Sequence, residues 1–311
     1  MAEAIIPPRA GARARMTLDL TSQRRLWNRV TYIVFAACAM ALVVFITAII
    51  LFIGSKGLTT FVRNHVSITQ FLFSKVWQPN EQPAAYGAAT FIVGSLEVTG
   101  LAILISAPLS IAAALFLTEV GPKWAQSVLQ PAVELFVGIP SVVYGWVGLS
   151  LLVPFIRNHI GGLGFSLLAG CIVLSIMALP TITTVATDSL RALPVGLKEA
   201  SYGLGATRWQ TLARVLLPAA LPGLMTAVIL GMARAIGEAL AVQMVIGNTE
   251  IIPKHLTDRA ATLTSIITLD MGNTVSGTAW NNSLWSMAML LLLIALALIL
   301  TIRVVSAKKV Y

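Results

Sequence analysis

The sequence predicts an all-α fold, a polytopic membrane helix bundle with about six transmembrane helices, and three observations carry that expectation. The 311 residues are 57% hydrophobic and 11% charged, with a mean hydropathy of +0.87, far more apolar than a soluble domain. Apolar stretches of about 20 residues recur along the chain, each long enough to cross roughly 30 Å of hydrocarbon. The basic residues, finally, sort by membrane side instead of clustering as a nucleic-acid patch.

Spans are expected at about 30–53, 92–117, 131–153, 167–187, 219–246 and 284–305. The first follows Arg24, Arg25 and Arg29 and runs to Gly54 without a small-residue cleavage site. It is too long for a signal peptide and is expected to stay as an anchor. With the N-terminus in the cytoplasm, 14 of the 21 basic residues fall inside or at the inner boundary, among them Arg9, Arg13, Arg15, Lys123, Arg191, Lys198, Arg208, Arg214, Arg303, Lys308 and Lys309. Lys56, Arg63, Lys75, Arg157, Lys254 and Arg259 fall outside, which satisfies the positive-inside rule and returns the C-terminus to the cytoplasm. The expected organisation is a basic cytoplasmic arm at 1–29, a first span with an outside elbow at 30–84, a transmembrane domain at 85–305 and a cytoplasmic tail at 306–311.

The elbow carries Phe71, Phe73 and Trp77, suited to the interface, and then the turn-prone Gln78-Pro79-Asn80. The last outside loop, about 247–283, contains Pro253, Lys254, His255, Asp258, Arg259 and Asp270. It reads either as a contact for a soluble partner or as a solvated connector. Cys38 and Cys171 lie within spans at a separation that fits no zinc or redox spacing, so both read as core thiols. His65, His159 and His255 are scattered over outside loops, and neither a metal-ligand cluster nor a nucleophile-base pair is apparent.

Two spans contain residues that hydrocarbon does not favour. In the third, Gly138-Ile-Pro140-Ser141-Val-Val-Tyr144-Gly145 permits close helix contact, the default reading, or a break that exposes backbone to a pathway. In the fifth, Arg234 and Glu238 stand one helical turn apart on nearly the same face of a continuous helix. An ionised side chain at the bilayer centre costs at least about 2.5–3.5 kcal/mol, whereas a same-helix pair returns only about 0.2–0.5 kcal/mol, and Arg before Glu is the weaker order. Two readings remain: an interhelical salt bridge, or a water-lined pathway in which Arg234 meets a tetrahedral oxyanion and Glu238 orients it or replaces the anion as its partner. Glu134 is expected at the inner interface. Glu97, near the outer boundary, reads equally as a snorkelling or a conducting group.

Between the fourth and fifth spans, residues 188–218 are too polar to cross a bilayer. Pro194 opens a helix, and Gly203 and Gly205 allow a sharp corner before Arg208, so two short helices are expected under the membrane. Glu199-Ala200-Ser201, three residues, Gly205, nine residues, Val215, one residue and Leu217-Pro218 resembles the EAA loop of ABC importer permeases. Ser201 stands where that pattern has its second Ala, and Val215 where it has Ile. The resemblance implies a coupling loop whose helix enters a groove of a cytoplasmic ATPase and transmits its closure, with Glu199, Ala200, Ser201, Gly205, Leu217 and Pro218 as the coupling residues. No Gly-x-x-x-x-Gly-Lys-[Ser/Thr] phosphate loop occurs in the chain, so ATP-Mg would bind a partner subunit and this chain would be no enzyme.

The segments Gly138 to Gly145, Leu179-Pro180, Asp188 with Arg191-Ala-Leu-Pro194, Leu204 to Trp209 and Arg234 to Val242 together look like the phosphate-specific ABC permeases, nearer the PstC-like than the PstA-like branch, over roughly residues 85–305. That resemblance implies a heterodimer with a PstA-like permease, two PstB-like ATPase subunits, a PstS-like phosphate-binding protein and alternating access. The arm, about 1–25, lies outside it, and disorder is left open there. Competing readings are a permease for molybdate or sulfate, an ion-coupled secondary carrier using Arg234 and Glu238, and a non-conducting signalling scaffold; the 188–218 loop argues against the carrier.

Overall fold

A computed structural model of the chain describes residues 10–307, with side chains over 27–304; the start of the basic arm, 1–9, and the end of the tail, 308–311, lie outside the described residues. The chain divides at Ser55–Lys56 into two units. Helix α1, Ala10–Val62, begins within the basic arm, so that arm is helical from Ala10 onward. In the first unit it exposes large apolar side chains all round, including Tyr32, Phe35, Phe45 and Leu51, the pattern of a helix solvated by lipid.

The second unit opens with a compact cap. The last turns of α1 lead to α2, Ile68–Phe73, and to a two-stranded antiparallel hairpin, β1 Trp77–Gln78 with β2 Ala85–Tyr86. Phe71 and Trp77 are not solvent-facing interfacial residues. They are buried against Phe91, Leu263, Leu284 and Met287, and Trp77 stands edge-on to Phe91 with ring centroids 5.8 Å apart. Asp270 Oδ2 accepts from the indole N–H of both Trp77, at 3.2 Å, and Trp280, at 3.3 Å.

The bundle follows. Helix α3 covers Ala89–Leu115 and continues through a π-turn, Phe116–Val120. Helix α4, Lys123–Gly138, and helix α5, Ser141–Val147, meet at a bend of 96°, and α5 runs through a π-turn, Gly148–Leu152, into α6, Val153–His159. The third span expected at 131–153 is therefore a broken pair, and the break replaces the close-packed straight helix that was the default. Helix α7, Leu167–Arg191, is followed by α8, Val195–Gly203. Helix α9, Arg208–Thr211, passes through a π-turn, Leu212–Leu216, into α10, Leu217–Ile236. The second of the two short helices expected under the membrane is thus the opening of the fifth span. Helix α11, Leu240–Ile246, α12, Leu263–Asp270, and α13, Ala279–Ala307, complete the chain. Among the described residues five helical segments are long and apolar enough to span a membrane, six if the bent pair counts as one.

Helix α7 is the axis of the packing: 61% of its apolar window is buried, against 33% or less in the other spans. Small side chains make that possible. On α3, Ala102, Ser106, Ser110 and Ala114 recur every four residues and are all buried, giving α7 a flat face to approach. Ser175 Oγ donates to Ala102 O at 3.1 Å and Ser110 Oγ to Leu179 O at 3.1 Å, tying the two helices where lipid offers no partner. Cys171 is buried in this contact, as expected of a core thiol, whereas Cys38 is exposed on α1.

The loop after α11 is not a solvated connector throughout. Ala260, Ala261 and Leu263 are buried, and a Cβ on Gly94 would lie 2.2 Å from Ala261 O, so the loop presses directly on α3. Its outermost part is held by Asp258, whose Oδ2 accepts from the amides of Lys254 at 2.9 Å and His255 at 3.0 Å. Those two amides hold its carboxyl below the usual aspartate range.

Two predictions come from this packing. Gly94→Ala is expected to destabilise the purified protein in a detergent thermal melt by about 1–3 kcal/mol, the usual cost of overpacking against backbone. Gly100→Ala, on the same helix but facing open space, is expected to leave the melt unchanged. For Asp258, a lowered carboxyl means that the ionised form is the one the fold favours, so its contribution is complete above the ordinary aspartate range and is lost as pH falls through its own lower pKa. Protection of the Lys254 and His255 amides, measured against the intrinsic exchange rate at each pH, is therefore expected to persist through the ordinary aspartate range and to fall only at more acid pH. In Asp258→Ala both amides lose that protection at every pH.

Candidate functional site

Two regions contain the residues singled out in the sequence, and each is built by helix ends. At the first, α8 stops in a left-handed corner. Gly205 has φ +80°, its amide donates to Tyr202 O at 2.9 Å, and the Ala206 amide reaches back to Ser201 O at 3.2 Å. This is the paired closure that a glycine after a helix C-cap permits. The chain restarts at once: Thr207 Oγ1 accepts from the Gln210 amide while Gln210 Oε1 accepts from the Thr207 amide, a capping box that opens α9. Glu199 and Ala200 are exposed, Ser201 is buried, and Pro218 lies exposed in the first turn of α10. Glu199, Ala200, Ser201 and Gly205 are thus gathered on α8 and its corner, while Leu217 and Pro218 sit farther along the fifth span. Lys198 forms an ion pair with Glu119 at the end of α3. Beside it lies a cleft of about 480 Å³ lined by Glu119, Lys198, Tyr202, Arg208, Trp209 and Leu212 among others.

At the second region the expected single helix 219–246 is interrupted. Helix α10 ends at Ile236, and Gly237, Glu238 and Ala239 carry the chain into α11. Arg234 and Glu238 therefore do not share a helical face, and no ion pair joins them. Arg234 Nη1 donates to Thr181 Oγ1 at 2.9 Å. Glu238 Oε1 accepts from the Ala241 amide at 3.2 Å, occupying an otherwise unbonded donor at the start of α11, and its carbonyl accepts from Thr264 Oγ1 at 2.9 Å. Thr181 is ten residues from the end of α7, about 15 Å at 1.5 Å per residue and half the hydrocarbon thickness. The guanidinium is held at mid-bundle by a neutral hydroxyl.

The bend between α4 and α5 faces the same central helix. Across it, the Tyr144 hydroxyl donates to Phe136 O at 2.8 Å. Gly145 meets α11 and Gly148 meets α7 and α11 too closely for a side chain: a Cβ would lie 2.9 Å from Ala241 Cα and 2.7 Å from Val173 Cγ2. An apolar cavity of about 360 Å³ opens between this bend and α7, lined by Phe136, Ile139, Val143, Tyr144 and Ile176 among others. Glu134 is exposed on α4 and accepts from Gln130 at 3.1 Å, which in turn accepts from Arg191 at 2.8 Å. Glu97 has a buried Oε2 that no hydrogen bond satisfies. His65, His159 and His255 are exposed.

Thr181, Thr264, Glu119 and Thr211 were not singled out in the sequence, and Tyr144 stood there only as part of the 138–145 segment. One signal for the break was present: the 28 residues 219–246 in one helix would extend about 42 Å, well beyond a 30 Å core.

Comparison with known proteins places this geometry. A family model described as binding-protein-dependent transport system inner membrane component matches residues 106–309. The probable ABC transporter permease protein YqgH of Bacillus subtilis is 55% identical over 277 residues, covering 89% of this chain and 90% of its own length. The phosphate transport system permease protein PstC of Mesorhizobium japonicum is 33% identical over 313 residues, covering 93% of both chains. PstC of Haemophilus influenzae is 33% identical over 258 residues, 76% of this chain and 81% of its own. Among solved structures, a chain of a bacterial alginate ABC transporter aligns with a TM-score of 0.63 at 16% identity, covering 93% of this chain and 96% of that one. An inward-facing MetNI methionine ABC transporter aligns at 0.54 and 24% identity, over 70% and 94%; at these identities the likeness is one of fold. The chain belongs to the binding-protein-dependent transport system inner membrane components and is a multi-pass ABC importer permease, the non-catalytic membrane part of a complex completed by ATPase and binding-protein subunits.

Proposed function

We propose that this chain forms half of the membrane pathway for inorganic phosphate, paired with a second, PstA-like permease and driven by two PstB-like ATPase subunits below the membrane. A PstS-like binding protein delivers phosphate from outside, and both termini of this chain lie in the cytoplasm. The PstC relatives, which cover up to 93% of the chain, support the choice of phosphate among oxyanions.

The observation that carries the reading is Arg234 at mid-span depth with a hydroxyl instead of a carboxylate beside it. Thr181 takes one of the five N–H donors of the guanidinium. A single neutral hydrogen bond does not offset the cost of a charge in hydrocarbon, so the site is suited to a water-filled path through which an anion passes. A planar fork of donors matches two oxygens of a tetrahedral oxyanion. Glu238 fixes the break that ends α10 just beyond Arg234, and so sets where the guanidinium stands. At the other end, Glu199 and Ala200 face outward from α8 for contact with the ATPase, Ser201 holds the helix to the bundle, and Gly205 fixes its exit. Leu217 and Pro218 begin the span that this movement reaches.

Reconstituted uptake of radiolabelled phosphate tests the assignment. Arg234→Gln is expected to abolish ATP-driven uptake while the ATPase still co-purifies, and excess sulfate or molybdate is expected not to compete in the wild type. Full uptake by Arg234→Gln removes that residue from the pathway, and strong competition by molybdate moves the substrate to that oxyanion.

A further inference from the structure

Helix α8 is held to the bundle in an unusual way. Ser201 is its one buried residue, and two polar contacts fasten it. Ser201 Oγ and Thr211 Oγ1 lie 2.8 Å apart, both residues being buried, and Lys198 pairs with Glu119. Residues three apart share a helical face, so Lys198 and Ser201 make one attachment face while Glu199 and Ala200 are left exposed.

Where the attachments land matters more than that they exist. Glu119 lies inside the π-turn Phe116–Val120 that ends the second span, and Thr211 immediately precedes the π-turn Leu212–Leu216 that begins the fifth. A π-turn inserts an extra residue into the helical ladder, disturbs its regular bonding and recurs at functional positions. One face of α8 is thus tied to two different spans at their irregular turns, and the fifth of those spans ends beside Arg234. The Lys198 and Glu119 side chains keep 35% and 15% of their exposure, and ion pairs in such settings add little to folding stability.

We propose that the Lys198–Glu119 ion pair and the Ser201–Thr211 hydrogen bond are positioning contacts that convert displacement of α8 into movement of α3 and α10, with the two π-turns as the places where those spans flex. The proposal rests on the reading of α8 as the helix that an ATPase moves. It differs from simple stapling of the loop: a staple sets how much complex assembles, whereas a transmission contact sets how much substrate moves for each ATP hydrolysed.

The test uses the complete importer in liposomes, with phosphate uptake and ATP hydrolysis measured in the same vesicles. Glu119→Gln and Lys198→Gln are each expected to retain the ATPase and its hydrolysis but to lower phosphate taken up per ATP by about fivefold or more, the lower end of ordinary coupling between sites. Reversing the pair, Glu119→Lys with Lys198→Glu, is expected to recover most of that ratio. Ser201→Ala is expected to lower the ratio, and Thr211→Ser, which keeps the hydroxyl, to preserve it. An unchanged ratio in the single variants, a parallel fall of uptake and hydrolysis, or a reversed pair that restores nothing overturns the proposal. Wild-type vesicles that take up phosphate without hydrolysing ATP overturn the ATP-driven reading itself, and the proposal with it.

Discussion

Hydrocarbon supplies no hydrogen-bond partner, so every backbone N–H and C=O in the spans has to be satisfied within the protein. An unbroken helix does this alone, and each place where a helix stops incurs a cost that some side chain offsets. At Ile139–Pro140 the carbonyl of Phe136 is taken by the Tyr144 hydroxyl. At Gly237–Ala239 the Glu238 carboxylate accepts the Ala241 amide and Thr264 donates to the Glu238 carbonyl. At the start of α12 the Leu263 amide donates to Ser95 Oγ of α3 at 2.9 Å, and Thr262 and Ser265 exchange a capping box. The breaks that shape the interior are covered by polar side chains, some at the breaks themselves and some, Thr264 and Ser95, from neighbouring helices.

That constraint also separates what could be read in the sequence from what could not. The spans were legible because apolar length is a local property, and the corner at Gly205 was legible because positive φ selects glycine within a recognisable spacing. Arg234 and Glu238 were found as residues but placed on one face of a continuous helix, which ends at Ile236. Their one-turn spacing implies contact only if the helix continues, and at its interruption the Glu238 carbonyl accepts from Thr264, a residue 26 positions later in the chain. The segment with Phe71 and Trp77 read as interfacial, and α12 as part of an outside loop, for a similar reason: burial of Trp77 against Phe91 and Leu284 is set by tertiary packing, not by the local run of residues.

The same distinction explains the loop at 188–218. Its glycine and Glu-Ala spacing resembles that of a docking element, but its attachments did not show. Glu119 stands 79 positions before Lys198, with the bent pair and α7 between them, and nothing in its surroundings marks it as a partner. Ser201 is informative in retrospect. A serine in place of alanine adds a hydroxyl that is buried, and a buried hydroxyl needs a partner, which Thr211 supplies.

Helix α10 joins these two regions, and its contact face bears on how it can move. Its buried residues are Ala220, Leu224, Ala227, Gly231, Met232, Ala235 and Ile236, so small side chains bring its backbone close to its neighbours between the larger ones. At Gly231 a Cβ would come within 2.3 Å of Ile182 Cγ1, and at Gly223 within 2.5 Å of Ser189 Cβ. Backbone and side chain are therefore already in contact at both points. Close approach maximises dispersion contact, and the Ile182 and Ser189 side chains seated on Gly231 and Gly223 key α7 and α10 together in one register. From Thr211 to Arg234 is 23 residues of largely continuous helix, about 35 Å. A displacement at Thr211 thus passes through the π-turn Leu212–Leu216 into a helix keyed to α7 at Gly223 and Gly231, ending where the guanidinium of Arg234 meets Thr181.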